Sequence, residues 1–256
     1  MSGLYYTIND ANVIELNDIK YILDEPGLMI NFCRTAAQKS CTIGVKSWLD
    51  IYQHSRLIKF ASPSYLRDEL SEMIMVSKPS VGFIYLEELL LLDQIFPELA
   101  KCTRVPQSRR SGVKNVFEHT MFALDSSLSD LTVRLAVLFH DSGKPETLQC
   151  FPDGRTHFFK HEYVGADIAK KHLTRLQFNT DIINDVCILI KCHMFDADPK
   201  ITQSGVKRLI QRVGVSRIYR LLLLREADRQ GTPNKISLRK IKNLRKKVDQ
   251  EIGNLQ

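Results

Sequence analysis

The run Phe139-His140-Asp141-Ser142-Gly143-Lys144-Pro145 closes an apolar helical stretch that carries Leu131, Leu135, Ala136 and Leu138. An imidazole and a carboxylate side by side at the end of such a helix are costly to bury, because a desolvated carboxylate needs a compensating partner. A divalent cation is the simplest one. Imidazole nitrogen with carboxylate oxygen suits a range of first-row metals, with Mg²⁺ less comfortable on nitrogen. A carboxylate is also disfavoured at the negative end of the helix dipole, so Asp141 at that place argues for a cation nearby. Inside a helix neighbouring side chains diverge by about 100°, whereas a turn lets His140 and Asp141 aim at one point. Lys144, just past the doublet, is placed either to complement the helix dipole or to hold a phosphate oxygen as a point charge.

Outward from the doublet, six of the seven histidines lie between positions 119 and 193. His119 sits in Val116-Phe117-Glu118-His119-Thr120, His161 in Lys160-His161-Glu162-Tyr163 and His193 in Lys191-Cys192-His193-Met194. Each has an ordinary alternative. His119 can be a plain helix histidine, and Asp196 and Asp198 compete with His193 as ligands. Glu162 is also explained as a first-turn acid. Asp228, in Glu226-Ala227-Asp228-Arg229 after the apolar Leu221 to Leu224, is readable as a salt-bridge residue. His157 lies beside a hairpin signal and either orients a phosphate or is no ligand. His172 reads as part of a charged helix face with Lys170 and Lys171, and His54 as surface.

The wider text is helical. Ser62-Pro63-Ser64 is a capped helix start, followed by Leu66, Leu70, Met73 and Ile74 at helical spacing. Further helices are expected from Gly27 through Ala37, Val45 to Tyr52, Gly82 to Leu92, Val116 to Leu124, Leu131 to His140 and Tyr163 to Leu176. Asp181 to Met194, Gly205 to Arg212, Ser216 to Asp228 and a basic helix from Leu238 to Ile252 complete the set. Leu4 to Ile8 and Val13 to Leu16 read as short strands. Asp153-Gly154 between aromatic-bearing flanks predicts a hairpin over Cys150 to Phe158.

Composition sets the class. Hydrophobic residues make up 44% and charged residues 25% of the 256, which is the make-up of a soluble globular protein. The most apolar stretch, Phe83 to Leu92, is broken by Glu87 and Glu88, so no membrane span is expected. The stretch MSGLYYTINDAN has no basic start, apolar run or small-residue cleavage site, so no export signal is expected. Six scattered cysteines without a CxxC pair fit free thiols in a reducing cytoplasm, not a disulfide framework or a zinc knuckle. A net charge of +7 favours phosphate-bearing partners. The cluster Arg239-Lys240, Lys242 and Arg245-Lys246-Lys247 is either a grip on RNA phosphates or a solvated helix face.

The order His119, His140-Asp141, Asp228 resembles the pattern of the HD superfamily of metal-dependent phosphohydrolases. His161 and His193 match the two extra histidines of its two-metal branch. That resemblance implies a mainly α fold, an HD helical bundle with a small β-hairpin. It also implies His119, His140, Asp141, His161, His193 and Asp228 as ligands to divalent metal ions, two of them, drawn from Mn, Ni, Co, Fe or Mg. Asp141 and Lys144 take the catalytic roles, and Lys144, His157 and Arg229 contact substrate. Pro63 to Leu70, Phe96-Pro97-Glu98-Leu99, Phe117-Glu118-His119-Thr120, the His-Asp-x-Gly-Lys-Pro run and Phe151-Pro152-Asp153-Gly154 further resemble bacterial tRNA nucleotidyltransferases (CCA-adding enzymes) of the poly(A) polymerase family. The division this implies is a degenerate remnant of the nucleotidyltransferase head over 1–60, a helical neck over 61–112 and an HD domain over 113–256.

The resemblance breaks at the head. A Gly-Ser followed by Asp-x-Asp, which binds magnesium for phosphoryl transfer, is missing from the first 60 residues, where Asp10, Asp18 and Asp24 stand too far apart. Nucleotide addition is therefore not expected. The implied activity is hydrolysis of phosphate esters on nucleotides or RNA ends, including 2′,3′-cyclic phosphates. The rivals are a tRNA- or RNA-binding module with a vestigial HD site and a partner for a separate nucleotidyltransferase subunit.

Overall fold

The computed structural model describes residues 5–107, 112–152, 155–195, 201–233 and 237–254. It is mainly helical, with a few short strands. The chain divides into two compact units: Met1–Lys101 with His172–Phe178, and Cys102–Lys171 with Asn179–Gln256.

In the first unit, strands Tyr6–Ile8 and Val13–Leu16 pair antiparallel, with Ile8 opposite Ile14. Val13–Leu16 also pairs in parallel with Thr42–Ile43, a two-residue strand too short to leave a periodic signal. Helix Leu28–Lys39 packs on helices Pro63–Met75 and Pro79–Glu88 and buries Met29, Ile30, Phe32, Cys33 and Ala36. Asn31 is buried with it, accepting from Tyr5 Oη at 2.8 Å and donating to Glu69 at 3.0 Å.

Two expectations need correcting in this unit. The helix expected over Gly82 to Leu92 starts earlier, with Pro79 in its first turn, and stops at Glu88. Leu90 takes a left-handed φ of 59°, and a separate helix, Leu91–Ile95, follows. A regular helix points four consecutive leucines around most of its circumference, whereas the reversal buries Leu89, Leu91 and Leu92 and leaves Leu90 outside. His172 is not on an exposed charged face. It is buried, with Nε2 2.6 Å from Glu98 Oε2 and its ring edge-on to Phe96.

The second unit is a helical bundle around Leu131–Phe139. Every residue of that helix from Thr132 to Phe139 is buried, as expected of a helix packed on all sides. Helices Val116–Ser126, Thr180–Cys192 and Ile218–Gln230 surround it. Side-chain caps fix the starts. Asn115 accepts from the Glu118 amide at 2.8 Å and Asp130 from the Val133 amide at 3.0 Å. The C-terminal helix Arg239–Gly253 buries Ile241, Leu244 and Val248 and packs on Gln203–Val213. Part of its basic cluster is already engaged: Lys247 donates to the Ile201 carbonyl at 2.7 Å, and Arg245 lies over the Tyr219 ring. Strands Leu148–Cys150 and Thr156–Phe158 form the expected hairpin, with Gln149 opposite His157. The Asp153-Gly154 tip lies outside the described residues.

Two glycines bring the turn after Phe139 against the start of helix His161–Arg175. A Cβ on Gly143 meets the His161 carbonyl oxygen at 2.3 Å and the Gly165 nitrogen at 2.7 Å; one on Gly165 meets the Phe139 carbonyl oxygen at 3.1 Å. Backbone lies on both sides, so a methyl group cannot be absorbed by a rotamer change. Gly143→Ala is expected to destabilise the protein by about 1–3 kcal/mol, read as a lower denaturation midpoint at unchanged slope. A midpoint equal to the wild type contradicts this close approach.

Candidate metal centre

Helix Leu131–Phe139 ends inside the bundle, so His140 and Asp141 are delivered to the interior at 0% and 3% exposure. His119 comes from Val116–Ser126, His161 from the first residue of His161–Arg175, and His193 from the residue after Thr180–Cys192. Asp228 comes from Ile218–Gln230. The structure brings all six together. His119, His140 and Asp228 form one group and Asp141, His161 and His193 another, and within each the ligating atoms lie within 4.8 Å of one another. Asp141 faces both: its Oδ2 lies 3.3 Å from His140 Nε2 and 3.7 Å from His119 Nε2, its Oδ1 3.4 Å from His161 Nε2. Asp196 and Asp198, the rivals to His193, lie outside the described residues.

The four imidazoles are held in the same way. Nδ1 of His119 donates to the Gly231 carbonyl at 2.8 Å and that of His140 to Val137 at 2.7 Å. Nδ1 of His161 donates to Phe158 at 2.9 Å and that of His193 to Ile190 at 2.7 Å. A carbonyl only accepts, so each Nδ1 carries a proton, and each ring, when neutral, presents its Nε2 lone pair to the centre. Nε2 of His140 and of His161 is buried with no hydrogen-bond partner among the described residues. Buried polar atoms are normally satisfied. Converging lone pairs, two carboxylates and two orphaned nitrogens fit a divalent cation with mixed N/O ligands, the donor set that suits Mn, Fe, Co, Ni or Zn better than Mg.

Charge in the site is tightly linked. Burial opposes charge on His140, yet Asp141 and Asp228 outweigh it and raise its pKa to about 10. Burial likewise opposes ionisation of Asp141 and Asp228. His140 and Lys144 still hold Asp141 well below the usual carboxylate range, and His119, His140 and Arg225 do so for Asp228. Burial and the neighbouring His140 push His193 down to about 4, so it stays neutral.

An open cleft of about 420 Å³ leads to the centre, lined by Asp141, Lys144, His157, Phe159, His161, His193, Arg225 and Asp228 among others. Lys144 Nζ lies 2.7 Å from Asp141 Oδ2 and 3.4 Å from Gln107 Oε1. His157 is on the cleft wall. Arg229 is not, and its Nε is buried without a hydrogen-bond partner among the described residues. One residue past Asp228 on a helix points about 100° away from it, whereas a residue three positions earlier shares its face. Arg225 holds that place. Its guanidinium lies 2.6 Å from Asp228 Oδ2 and over the Phe195 ring at 5.9 Å. The i, i+3 spacing from Asp228 was the signal for it in the sequence.

Residues 115–240 match the HD domain family, and residues 42–103 match the family described as "Probable RNA and SrmB- binding site of polymerase A". The A-adding tRNA nucleotidyltransferase of Deinococcus radiodurans is 36% identical over 143 residues, 54% of this chain and 33% of that protein. The CC-adding tRNA nucleotidyltransferase of Thermus thermophilus is 32% identical over 194 residues, 70% of this chain and 43% of that protein. The chain thus spans less than half the length of these relatives. A solved CCA-adding enzyme in complex with ATP shares the fold at a TM-score of 0.59 and 14% identity, over 95% of this chain and 51% of that one.

The His140 pKa makes metal binding a proton-exchange reaction. With its pKa raised to about 10 by the two carboxylates, the metal-free ring is mostly protonated at neutral pH, and as a ligand through Nε2 it cannot be. Mn²⁺ titrated calorimetrically at pH 8 in buffers of different ionisation enthalpy should release about one proton from this group, and affinity should rise roughly tenfold per pH unit between pH 7 and 9. Binding without proton release, at an affinity independent of pH, contradicts the assignment of His140.

Proposed function

Because the chain carries an HD domain related to the matching region of tRNA nucleotidyltransferases, we propose that it is a metal-dependent phosphohydrolase acting on nucleotides or RNA-terminal phosphates such as 2′,3′-cyclic phosphate. The observation that carries this reading is the convergence of four Nε2 atoms on two carboxylates that line an open, cation-flanked cleft. His119, His140 and Asp228 would hold one divalent cation, and Asp141, His161 and His193 a second. When bound, such cations supply Lewis-acid charge at the phosphoryl oxygens and lower the pKa of water.

The chain's own groups do the rest. Lys144 and Arg225 line the cleft as fixed positive charges, one on each carboxylate, and are placed to receive the oxygens of an entering phosphate. The four backbone carbonyls keep the imidazoles from rotating, so the centre needs no reorganisation as charge develops at phosphorus. Asp141 and Lys144 are the catalytic residues of this reading. The division into a head remnant over 1–60, a neck over 61–112 and an HD domain over 113–256 is part of the same proposal, with nucleotide addition not expected of this chain by itself.

A second role, RNA binding, is favoured by the match of residues 42–103 and the net charge of +7. Among the described residues no helix is long and apolar enough to cross a membrane.

Purified protein with Mn²⁺, Ni²⁺ or Co²⁺ is expected to release phosphate from 2′-nucleotides or open 2′,3′-cyclic nucleotides. Asp141→Ala should abolish turnover, and Lys144→Ala should lower kcat/KM by roughly 10²-fold. No turnover of a broad phosphoester panel with any of these metals defeats the hydrolase reading. If the second role holds, Asp141→Ala retains tRNA on a filter at low salt and releases it steeply as salt rises.

A further inference from the structure

We propose that the aromatic stack on the hairpin beside the cleft is a nucleobase platform, so that the site takes a nucleobase-bearing phosphoester with its base seated on Phe159. The inference deepens the hydrolase reading and rests on the same cleft.

His157 and Phe159 are two residues apart, the spacing that puts side chains on one side of an extended chain. Their rings stack with centroids 5.2 Å apart and planes 7° from parallel. Phe151, from beyond the opposite strand, sets its ring against His157 at 5.2 Å and 78°. His157 thus lies between two phenylalanines, all three rings being exposed. Phe159, at the other end of the stack, is 57% exposed. Exposed apolar side chains are common singly; an ordered stack that ends on an exposed ring at the rim of a charged cleft is not accounted for by core packing.

The same cleft joins these rings to the phosphate-facing groups. His157, Phe158 and Phe159 line one part, and Asp141, Lys144, Arg225 and Asp228 another. A wall of flat π-faces next to a floor of charge matches a molecule that is flat and aromatic at one end and anionic at the other. The two parts are tied by short links. The Phe158 carbonyl accepts the Nδ1 proton of His161. Lys144 Nζ lies 5.3 Å from the Phe158 ring centroid and 2.7 Å from Asp141 Oδ2. Lys160, with a left-handed φ of 60°, turns the chain between Phe159 and His161, which fixes the rim relative to the centre. A cleft of about 420 Å³ lies within the range that encloses a small ligand. Every base has a π-face, so the platform selects for the presence of a base and little for its identity.

The experiment has two arms. In EDTA, the fluorescence of 2-aminopurine ribonucleoside monophosphate is expected to be quenched by the wild-type chain. Affinity should weaken roughly tenfold or more in Phe159→Ala and be kept in Phe159→Trp, while the affinity for ribose 5-phosphate stays the same in all three. With Mn²⁺, Phe159→Ala should lower kcat/KM for a nucleoside phosphate by a similar factor and leave that for ribose 5-phosphate unchanged. If Phe159→Ala alters neither base binding nor the ratio of the two substrates, or lowers both substrates equally, the platform is overturned while hydrolysis stands. If base binding depends on Phe159 but no ester is turned over, the platform stands and the hydrolase reading fails.

Discussion

Four hydrogen bonds from imidazole Nδ1 to backbone carbonyls determine what this molecule can do. They are made to Val137, Phe158, Ile190 and Gly231, residues at or near the ends of helices and at the end of a strand. Three of the four carbonyls belong to residues three positions before the histidine, so each turn that carries a ring also orients it. The fourth is long-range. Gly231 closes the helix that bears Asp228, and its carbonyl fixes His119 from a distant part of the sequence. A side chain at Gly231 has no room, since a Cβ there meets the His119 ring at 2.5 Å. The backbone thus ties two ligands of the same group together.

This arrangement gathers two carboxylates and four imidazoles into a buried space, which is unfavourable for any stretch of chain taken alone. The bundle makes it tolerable by cross-compensation. Asp141 faces His140 and His161 and pairs with Lys144, while Asp228 faces His119 and pairs with Arg225. Without a cation the carboxylates draw a proton onto His140. A bound cation would take the place of that proton and leave Lys144 and Arg225 available to an anion. The groups that offset the cost of burial are thus the same ones that line the cleft, so the cleft and the core cannot be altered independently.

Much of this was legible in the sequence because the decisive signals are local. The doublet at the end of an apolar helix and the Asp-Gly hairpin each occupy a few residues, whereas His119 and Asp228 stand 109 positions apart and are joined to the doublet only by the family resemblance. The mainly helical class follows from apolar spacing at Leu66, Leu70, Met73 and Ile74 and its counterparts elsewhere. What was missed depends on tertiary packing. Leu90 reverses the helix because its neighbours compete for one buried side. His172 is drawn inside by Glu98, 74 positions away. Arg225, three positions before Asp228, shares its helix face, whereas the immediate neighbour Arg229 points about 100° away. Thr42–Ile43 exists only because Val13–Leu16 lies beside it.

The central claim is that the six converging side chains hold divalent cations. Anomalous diffraction at the manganese edge from crystals grown with Mn²⁺ tests it most directly. Two anomalous peaks are expected to flank the Asp141 carboxylate, one against His119, His140 and Asp228 and the other against His161 and His193. A map with no peak at Asp141, from crystals that bind manganese elsewhere or not at all, contradicts it.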